Sequence, residues 1–303
     1  MPIMPKVTII LVNYNGSSDT CECLRSLAQI TYPSYNIVVI DNGSRDVHEA
    51  HELQKSFPDM TMIRSDENKG FAGGNNIGIR VAQERGSDYV LLLNNDTTAD
   101  AKFLDAMVAA AETDARIGIV GAKIYYHAEP EMIWYDGGSF SWNKGVRHTH
   151  IGTRDMRSGD ATPRSTDFIT GCAMLVRMSA LKKIGLLEES FFMYHEDADW
   201  CLRARKEGFL LVVAPEAHVW HKIARSAVTM GEPKIHYYDA RNSLLLARRN
   251  APFPVRVWIY GRSLFSFTKQ IVKLAVLPSK RAISKIIMRG IVDFYRGNFG
   301  MTK

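Results

Sequence analysis

The sequence predicts an α/β protein with a mostly parallel central sheet. Apolar runs and amphipathic stretches alternate over the first 125 residues, and the apolar runs lack polar alternation. Uninterrupted apolar runs are typical of strands that helices cover on both faces. The hydrophobic fraction, 46%, is that of a globular protein and excludes a disordered chain. A length of 303 residues allows one large domain or two of ordinary size.

The elements of the first half follow in a regular order. Apolar runs predict strands over residues 7–12, 36–40, 60–65 and 89–93. Amphipathic stretches predict helices over residues 17–29, 44–57, 72–86 and 99–114. Ser44 is expected to cap the second helix, and Gly86 to end the third. Strands separated by helices imply parallel pairing.

The second half is built differently. Shorter apolar runs past residue 125 predict an antiparallel or mixed layer, and the polar stretch 143–166 predicts a long loop. A helix is expected from Glu196 to Glu207, ending at Gly208.

Polar side chains follow three of the predicted strands, at the edge where ligands bind in a parallel sheet. The three clusters are Asn13-Tyr14-Asn15-Gly16, Asp41-Asn42-Gly43-Ser44 and Asn94-Asn95-Asp96. Ordinary surface turns would explain any one of them. Three clusters at one edge favour a ligand site, and their oxygens suit a hard cation with the phosphates it carries.

A glycine-rich stretch, residues 67–78, precedes the third helix. It matches neither the dinucleotide-binding glycine pattern nor the P-loop, which would need a following Gly-Lys-Ser/Thr. Its glycines would let the backbone approach an anionic ligand at the start of the helix. The alternative is a glycine-rich turn with close helix packing.

Three acids, Glu196, Asp197 and Asp199, start the helix that follows the apolar run 191–194. Acids often stabilise helix starts through the free N–H groups and the dipole. Partial burial behind aromatic side chains would also raise a carboxyl pKa towards that of a general base. His221 follows a later strand, and we consider it as a second metal ligand beside Asp96, although a lone histidine is more often structural.

The positive charge is concentrated in the C-terminal tail of the chain. Residues 251–303 carry ten Lys/Arg and one acid, a charge of +9, so residues 1–250 carry −3 of the total of +6. Because the positive charge is confined to the tail, we expect no nucleic-acid partner. The tail predicts basic amphipathic helices suited to an anionic membrane surface. The alternative is packing on the preceding part of the chain or on a second chain in a homodimer.

The compartment follows from weaker signals. The four cysteines lack metal-site or disulfide-framework spacing, so we expect a reducing cytoplasm. No signal peptide or membrane-spanning helix is predicted. Membrane contact would therefore be peripheral, on the inner face of the cell membrane.

Six ordered motifs carry a family resemblance. They are "VTIILVNYN", "VVIDNGSRD", "NKGFAGGNNIGI", "LLLNND", "GCAMLVR…GLLEESFFMYHEDADWCLRARKEG" and "VWHK". Together they resemble the family 2 glycosyltransferases, inverting enzymes of the GT-A fold, and within these the bacterial rhamnosyltransferases of cell-surface polysaccharide synthesis. The resemblance covers roughly residues 6–250.

The resemblance implies a role for each matching residue. Residues 1–125 would bind the nucleotide sugar, residues 126–250 the acceptor and the catalytic base, and residues 251–303 would form the tail. The implied donor-binding residues are Asn13, Asn15, Asp41, Asn68, Gly70, Gly74, Asn75, Asn94 and Asn95. The implied metal ligands are Asp96 and His221, the catalytic residues are Asp197 and Glu196, and the acceptor-binding residues are Asp199, Trp200 and Arg241. Asn94 departs from the family's Asp-x-Asp motif, which lowers the negative charge at the metal site.

The implied chemistry is transfer of a sugar, L-rhamnose from dTDP-rhamnose, to a glycan or polyprenyl-diphosphate-linked acceptor with Mn2+ or Mg2+. A UDP-hexose or UDP-galactofuranose donor is the alternative. One rival is a sugar-1-phosphate nucleotidyltransferase, which would need a basic glycine-rich loop near the N-terminus, whereas no basic residue lies between Asn13 and Arg25. The other rival is a catalytically silent nucleotide-sugar-binding subunit, against which Asp96 and Asp197 argue.

Overall fold

A computed structural model describes residues 4–156, 161–222 and 232–302 of the chain. Within these ranges, ten strands form one sheet and two more form a separate hairpin. The strands are β1 (Val7–Asn13), β2 (Tyr35–Asn42), β3 (Thr61–Ser65), β4 (Tyr89–Asn94), β5 (Thr97–Ala99), β6 (Ile117–Tyr126), β7 (Glu129–Tyr135), β8 (Gly138–Ser141), β9 (Gly145–His148), β10 (Arg164–Ser165), β11 (Ala173–Arg177) and β12 (Leu210–His221). The helices are α1 (Ser17–Leu27), α2 (Val47–Ser56), α3 (Gly70–Glu84), α4 (Phe103–Glu112), α5 (Met178–Ile184), α6 (Glu196–Lys206), α7 (Glu232–Asn250), α8 (Phe253–Val276) and α9 (Arg281–Arg296).

The main path of the sheet runs β10-β12-β6-β11-β4-β1-β2-β3. Strands β3, β2, β1 and β4 are parallel, as are β6 and β12, whereas β11 runs antiparallel to both of its neighbours. The predicted α/β class with a mostly parallel sheet is therefore confirmed. Because β11 enters the sheet beside β4, the second half of the chain reaches the edge where the first-half strands end.

Strand register brings the three polar clusters together. Asn13 pairs with Asp41 across β1 and β2, and Val12 pairs with Asn94 across β1 and β4. Most of the apolar residues that precede these positions are almost fully buried in the core. The rigid strands therefore hold all three clusters at one edge, which we call the donor edge.

Two glycines of α3 serve packing. A Cβ atom on Gly78 would lie 2.5 Å from a side-chain carbon of Ile10, and one on Gly74 would lie 2.8 Å from Val12. Helix α3 can rest on β1 at this distance only because these positions lack a side chain. The close-packing interpretation is therefore correct for this part of the glycine-rich stretch.

Some element boundaries were predicted wrongly. Helix α2 begins at Val47 with Asp46 as its N-cap, so Ser44 does not cap it. The short strand β5 was not predicted, and the expected loop 143–166 contains β9 and β10. Residues 157–160 of that stretch lie outside the described residues. Such short strands form through long-range pairing, β5 and β10 both with β12, which a local pattern does not reveal.

The predicted C-terminal helices are present. Helix α9 packs on α7 and α8, and Gly290 allows the close crossing, since a Cβ atom there would lie 2.6 Å from the carbonyl oxygen of Tyr237. A single 3-10 turn at Pro278–Lys280 separates α8 from α9. Of the helices described, none combines the length and the apolar character needed to cross a membrane.

Candidate active site

Asn13 organises the centre of the donor edge. Its Oδ1 accepts hydrogen bonds from the Gly16 backbone N–H at 3.2 Å and from the Thr20 hydroxyl at 3.0 Å. Asn95 donates to the same hydroxyl at 2.9 Å. The fully buried Asn13 therefore fixes the loop after β1 against the loop after β4. The motif identified Asn13 and Asn95, but Thr20 was missed.

Asp41 is fully buried and forms an ion pair with Arg64. Its Oδ1 also accepts from the Ser44 backbone N–H at 3.1 Å. The Ser44 hydroxyl in turn accepts from the backbone N–H of Asn15 at 2.9 Å. Arg64 is thus a site residue that the sequence did not reveal. Ser44 belongs to one of the three predicted clusters, but its predicted role was that of a helix cap. The signal for Arg64 was its place at the end of the strand beside β2, where it pairs with Asp41.

Asn68 and Gly70 shape the turn before α3. The Asn68 side-chain oxygen accepts from the Gly70 N–H at 2.8 Å and from Asn42 Nδ2 at 3.1 Å. Gly70 has a φ of +69°, and a Cβ atom there would lie 2.2 Å from the carbonyl oxygen of Phe192. Only glycine fits this contact, which joins the donor edge to the segment that leads into α6.

Gly74 and Asn75 turn inward. Gly74 faces Val12, and Asn75 is buried with its amide donating to the Phe71 carbonyl at 2.9 Å. In this conformation both residues take part in packing within the fold. Their implied contact with the sugar donor stays a prediction.

Asp96 and His221 meet beyond the end of β4. His221 Nε2 lies 3.1 Å from Asp96 Oδ1 and 3.4 Å from Asn94 Nδ2, and both Asp96 and His221 are buried. A carboxylate with an imidazole suits a divalent cation such as Mn2+. Among the described residues, no group of three His, Cys, Asp or Glu side chains converges. The pair fits a cation whose other ligands come from a bound diphosphate or from water.

Two neighbours set the charge of His221. Burial lowers its pKa, but contacts with Cys172 and Asp96 outweigh burial and raise the pKa of His221 to about 10. A bound cation would displace this proton. Burial raises the pKa of the Cys172 thiol, so this cysteine is not an activated nucleophile although it lies beside a histidine.

Asp197 lies in the first turn of α6, against the segment that leads into β11. Its two carboxylate oxygens accept from the Gly171 backbone N–H at 3.2 Å and from the Ala198 backbone N–H at 2.8 Å. Burial raises the pKa of Asp197, and the two backbone donors oppose the rise. The backbone carbonyl of Cys172, the residue after Gly171, accepts from the Asn94 backbone N–H at 2.8 Å. A short stretch of backbone therefore connects the acid to the end of β4 that precedes Asp96.

Glu196 differs from its neighbour. Its Oε2 is buried and has no hydrogen-bond partner among the described residues. Burial, followed by repulsion from Asp197, raises the pKa of Glu196 well above its usual range. Of the two acids, Asp197 has the better support for a negative charge, because only its two oxygens both accept from backbone N–H groups.

Residues 8–185 match the family model described as Glycosyl transferase family 2. The chain belongs to this family. It is 27% identical over 304 residues to the N-acetylglucosaminyl-diphospho-decaprenol L-rhamnosyltransferase of Mycobacterium tuberculosis, covering 92% of this chain and 97% of that one. It is 22% identical over 248 residues to the dTDP-rhamnosyl transferase RfbF of Shigella flexneri, covering 80% and 79%. The rhamnosyltransferase WbbL of Escherichia coli is 25% identical over 226 residues, covering 71% and 83%.

Two solved structures share the fold of this glycosyltransferase. The mannosyltransferase PcManGT of Pyrobaculum calidifontis, in complex with GDP-Man and Mn2+, aligns with a TM-score of 0.59 and 15% identity over 97% of this chain and 88% of that one. GalNAc-T7 with UDP, GalNAc and Mn2+ aligns with a TM-score of 0.60 and 15% identity. That alignment covers 80% of this chain but 51% of GalNAc-T7, so this chain spans about half the length of that protein. The predicted family, the GT-A fold and the likeness to rhamnosyltransferases are confirmed.

The backbone of the glycosyltransferase is strained just before its acids. Phe192, Tyr194 and His195 have φ values of +66°, +65° and +73°. Residues other than glycine rarely adopt positive φ values, and those that do concentrate at functional sites. The strained turn places Glu196 and Asp197 at the first turn of α6.

Trp200 and Arg241 of the glycosyltransferase are packed inside the fold. Trp200 is fully buried, with its indole N–H donating to the Gly185 carbonyl at 2.8 Å. Arg241 is 1% exposed, and its guanidinium donates to the carbonyls of Ser190, Phe191 and Gly300. Neither side chain has free surface for an acceptor in this structure, so the geometry assigns both a structural role.

Asp199 is also fully buried, and three side chains hold it. It accepts from Arg203 Nε at 2.8 Å, Arg249 Nε at 2.9 Å and Asn250 Nδ2 at 2.7 Å. These bonds fasten the start of α6 to the end of α7. Contact with an acceptor would require breaking them, so the implied acceptor role of Asp199 is not supported by this arrangement.

Proposed function

We propose that this chain is an inverting glycosyltransferase with Asp197 as its general base. It would transfer a sugar, L-rhamnose from dTDP-rhamnose, to a lipid-linked glycan acceptor in cell-surface polysaccharide synthesis. The observation that carries the proposal is the connection of Asp197, through Gly171 and Cys172, to the strand end that holds Asn94 and Asp96. A base held next to a diphosphate site is what an inverting transfer requires.

The reaction needs one proton acceptor. The acceptor hydroxyl attacks the anomeric carbon of the donor from the face opposite the diphosphate. Its proton passes to the Asp197 carboxylate, the new glycosidic bond forms, and the bond from the anomeric carbon to the diphosphate breaks. The two backbone N–H groups keep the carboxylate oriented and stabilise its charge before transfer. Burial raises its proton affinity above that of an exposed aspartate.

Asp96 and His221 would hold a divalent cation, Mn2+ or Mg2+, which when bound neutralises charge on the departing diphosphate. Asn94 would add a neutral oxygen. Asn13, Asn15, Asp41 and Asn95 would surround the nucleoside. Arg64 holds Asp41 as a charged acceptor, which suits an N–H group of a pyrimidine base.

The sugar assignment depends on similarity. Three relatives named as rhamnosyltransferases, one of them a dTDP-rhamnosyl transferase, support rhamnose and a thymidine nucleotide. The name of the mycobacterial relative supports a polyprenyl-diphosphate acceptor. A UDP-hexose or UDP-galactofuranose donor is the second candidate.

The proposal is tested by Asp197→Asn, with Asp167→Asn as the matched control. Asp167 is a partly exposed acid that pairs with Arg205. We expect Asp197→Asn to lower the transfer rate by about 10²–10⁴-fold, the usual contribution of a general base, and to leave nucleotide binding nearly unchanged. Transfer by Asp197→Asn at the rate of the control would exclude Asp197 as the base.

We further propose that the tail attaches the enzyme peripherally to the inner face of the cell membrane. Helix α8 exposes an apolar set to solvent. It comprises Phe253, Val257, Trp258, Leu264, Phe265, Ile271, Val272 and Val276. The guanidinium of Arg262 lies over the Trp258 ring, and Lys269 and Lys280 are exposed along the same tail. Apolar side chains with cations suit the headgroup region of an anionic bilayer.

Vesicle flotation tests this attachment. We expect the full chain to float with vesicles that contain phosphatidylglycerol and much less with pure phosphatidylcholine. The double substitution Leu264→Ser and Phe265→Ser should abolish flotation, whereas Met156→Ser, which removes an exposed apolar side chain elsewhere, should not. Equal flotation of the two variants would exclude α8 as the docking surface. If the natural chain does not float and forms a dimer in solution, the homodimer alternative would be favoured.

A further inference from the structure

An aromatic side chain lies between the two halves of the active site. Trp134, on β7, has its ring centroid 4.9 Å from that of His221, the proposed metal ligand. The same ring is 5.1 Å from the ring of His148 on β9, in an edge-to-face arrangement at 88°. His148 in turn stacks on Phe168, with ring centroids 6.0 Å apart, and Phe168 lies three residues before Gly171, whose N–H donates to Asp197. A chain of contacts therefore runs from the metal pair through Trp134 to the proposed base.

Trp134 is held firmly but not covered. The flanking residues Ile133 and Tyr135 point into the core, with the Tyr135 hydroxyl donating to the Phe168 carbonyl at 2.7 Å. Trp134, on the opposite side of the strand, stays partly exposed. Its carbonyl lies 3.4 Å from His148 Nδ1, which fixes the hairpin strand beside it. Part of the indole therefore stays accessible to solvent while its ring is held beside His221.

The neighbours of Trp134 indicate which ligand it would meet. The face of an indole is electron-rich, and the C–H bonds on the face of a pyranose ring carry a slight positive charge, so the two surfaces attract. Aromatic surfaces among a few polar groups are typical of small-molecule sites. The group that delivers its proton to Asp197 belongs to the acceptor. Trp134 is linked to the segment that holds Asp197 through the rings of His148 and Phe168.

We infer that Trp134, with His148 bracing it, is the platform on which the acceptor's terminal pyranose stacks. This inference rests on the proposed function and assigns an acceptor subsite to a strand that the six motifs do not include. It also replaces the buried Trp200 as the tryptophan that meets the acceptor. The platform fixes the orientation of the sugar and so the hydroxyl that reaches Asp197.

Binding measurements test the platform without requiring turnover. The probe is N-acetylglucosamine 1-phosphate, titrated by saturation-transfer NMR with and without dTDP and Mn2+. Trp134→Leu keeps apolar bulk but removes the ring, and Trp134→Phe keeps a ring. Trp142→Leu is the matched control, because Trp142 is another partly exposed tryptophan of the same region that packs edge-on against Phe140.

We expect Trp134→Leu to weaken probe binding about tenfold, as the loss of an aromatic contact would, and Trp134→Phe to remain within about threefold of the natural chain. Trp142→Leu should bind normally, and dTDP with Mn2+ should bind equally to all four proteins. The platform would be overturned if Trp134→Leu bound the probe with the same affinity as Trp142→Leu. It would also be overturned if the natural chain did not bind the probe. Failure of dTDP to bind the natural chain would instead overturn the proposed function, and the titration without nucleotide would still decide the platform.

Discussion

Asn13 Oδ1 and Glu196 Oε2 are both buried side-chain oxygens at the active site, but their surroundings differ. At the donor edge, Asn13 receives hydrogen bonds from a backbone N–H and from a hydroxyl. At the start of α6, Glu196 Oε2 has no partner among the described residues. The donor edge is thus ordered by hydrogen-bonded neutral groups and two ion pairs, Arg64–Asp41 and His221–Asp96, whereas α6 concentrates acids whose burial is costly.

The difference follows from what each region does in the proposed reaction. A nucleotide is recognised in its resting state, so its binding groups gain from being fixed beforehand by hydrogen bonds. A general base gains from a raised proton affinity, which burial and neighbouring carboxylates provide. The strained residues before α6 and the unpaired Glu196 oxygen are consistent with a region shaped by chemistry rather than by stability.

The largest expected effect is structural and falls on the α6 side. Asp199→Ala should lower the free energy of unfolding by about 3–5 kcal/mol, because it leaves Arg203 and Arg249 without their shared buried carboxylate. Urea denaturation measures this loss. The apparent KM for the acceptor should stay unchanged in the protein that remains folded. A stable Asp199→Ala variant with a raised acceptor KM would restore the implied acceptor role.

The next effect falls on the donor edge. Asp96→Ala should reduce transfer by at least about a hundredfold and abolish the part of nucleotide binding that depends on Mn2+, because a carboxylate ligand is lost. Asp100→Ala removes an acid from the loop after β5, where it accepts from the Lys102 backbone, and serves as the control. Metal-dependent nucleotide binding that survives Asp96→Ala would place the cation elsewhere.

The smallest effect is a change in pH dependence. Since the pKa of Glu196 is raised on folding, the folded state binds more protons than the unfolded state above the ordinary carboxyl pKa. The free energy of unfolding therefore falls as pH rises through this range. Glu196→Gln removes the titrating group, so its melting temperature should decline less between pH 5 and pH 8 than that of the natural chain. If the melting temperatures of the two proteins change with pH in the same way over this range, Glu196 is not protonated in the folded state.

The sequence predicted the donor edge better than the α6 region for a physical reason. Strand ends in a parallel sheet share one edge, so local patterns alone brought Asn13, Asp41 and Asp96 together. The role of Asp199 depends on Arg249, fifty residues later, and nothing near Asp199 reveals that partner. Ser44 was assigned to a helix cap because its local pattern allows one, whereas tertiary contact with Asn15 decides its place.

Trp134 illustrates the same limit. Its strand was predicted from apolar residues, but which side chain of a strand faces the active site depends on pairing with β6 and on the hairpin beside it. The glycines of the glycine-rich stretch have different roles. Gly70 allows the backbone to approach that of Phe192, whereas Gly74 allows α3 to pack on β1. Residue type alone does not separate these uses.

The central claim is that the donor edge forms a metal-dependent site for a pyrimidine nucleotide diphosphate next to Asp197. A thermal-shift panel tests it most directly, with thymidine, uridine, guanosine and cytidine diphosphates, each with and without Mn2+ or Mg2+. A ligand at 100 times its dissociation constant should add about 2.7 kcal/mol to the free energy of unfolding. We predict stabilisation by thymidine diphosphate above the others, and only with metal. No shift with any nucleotide would contradict the claim.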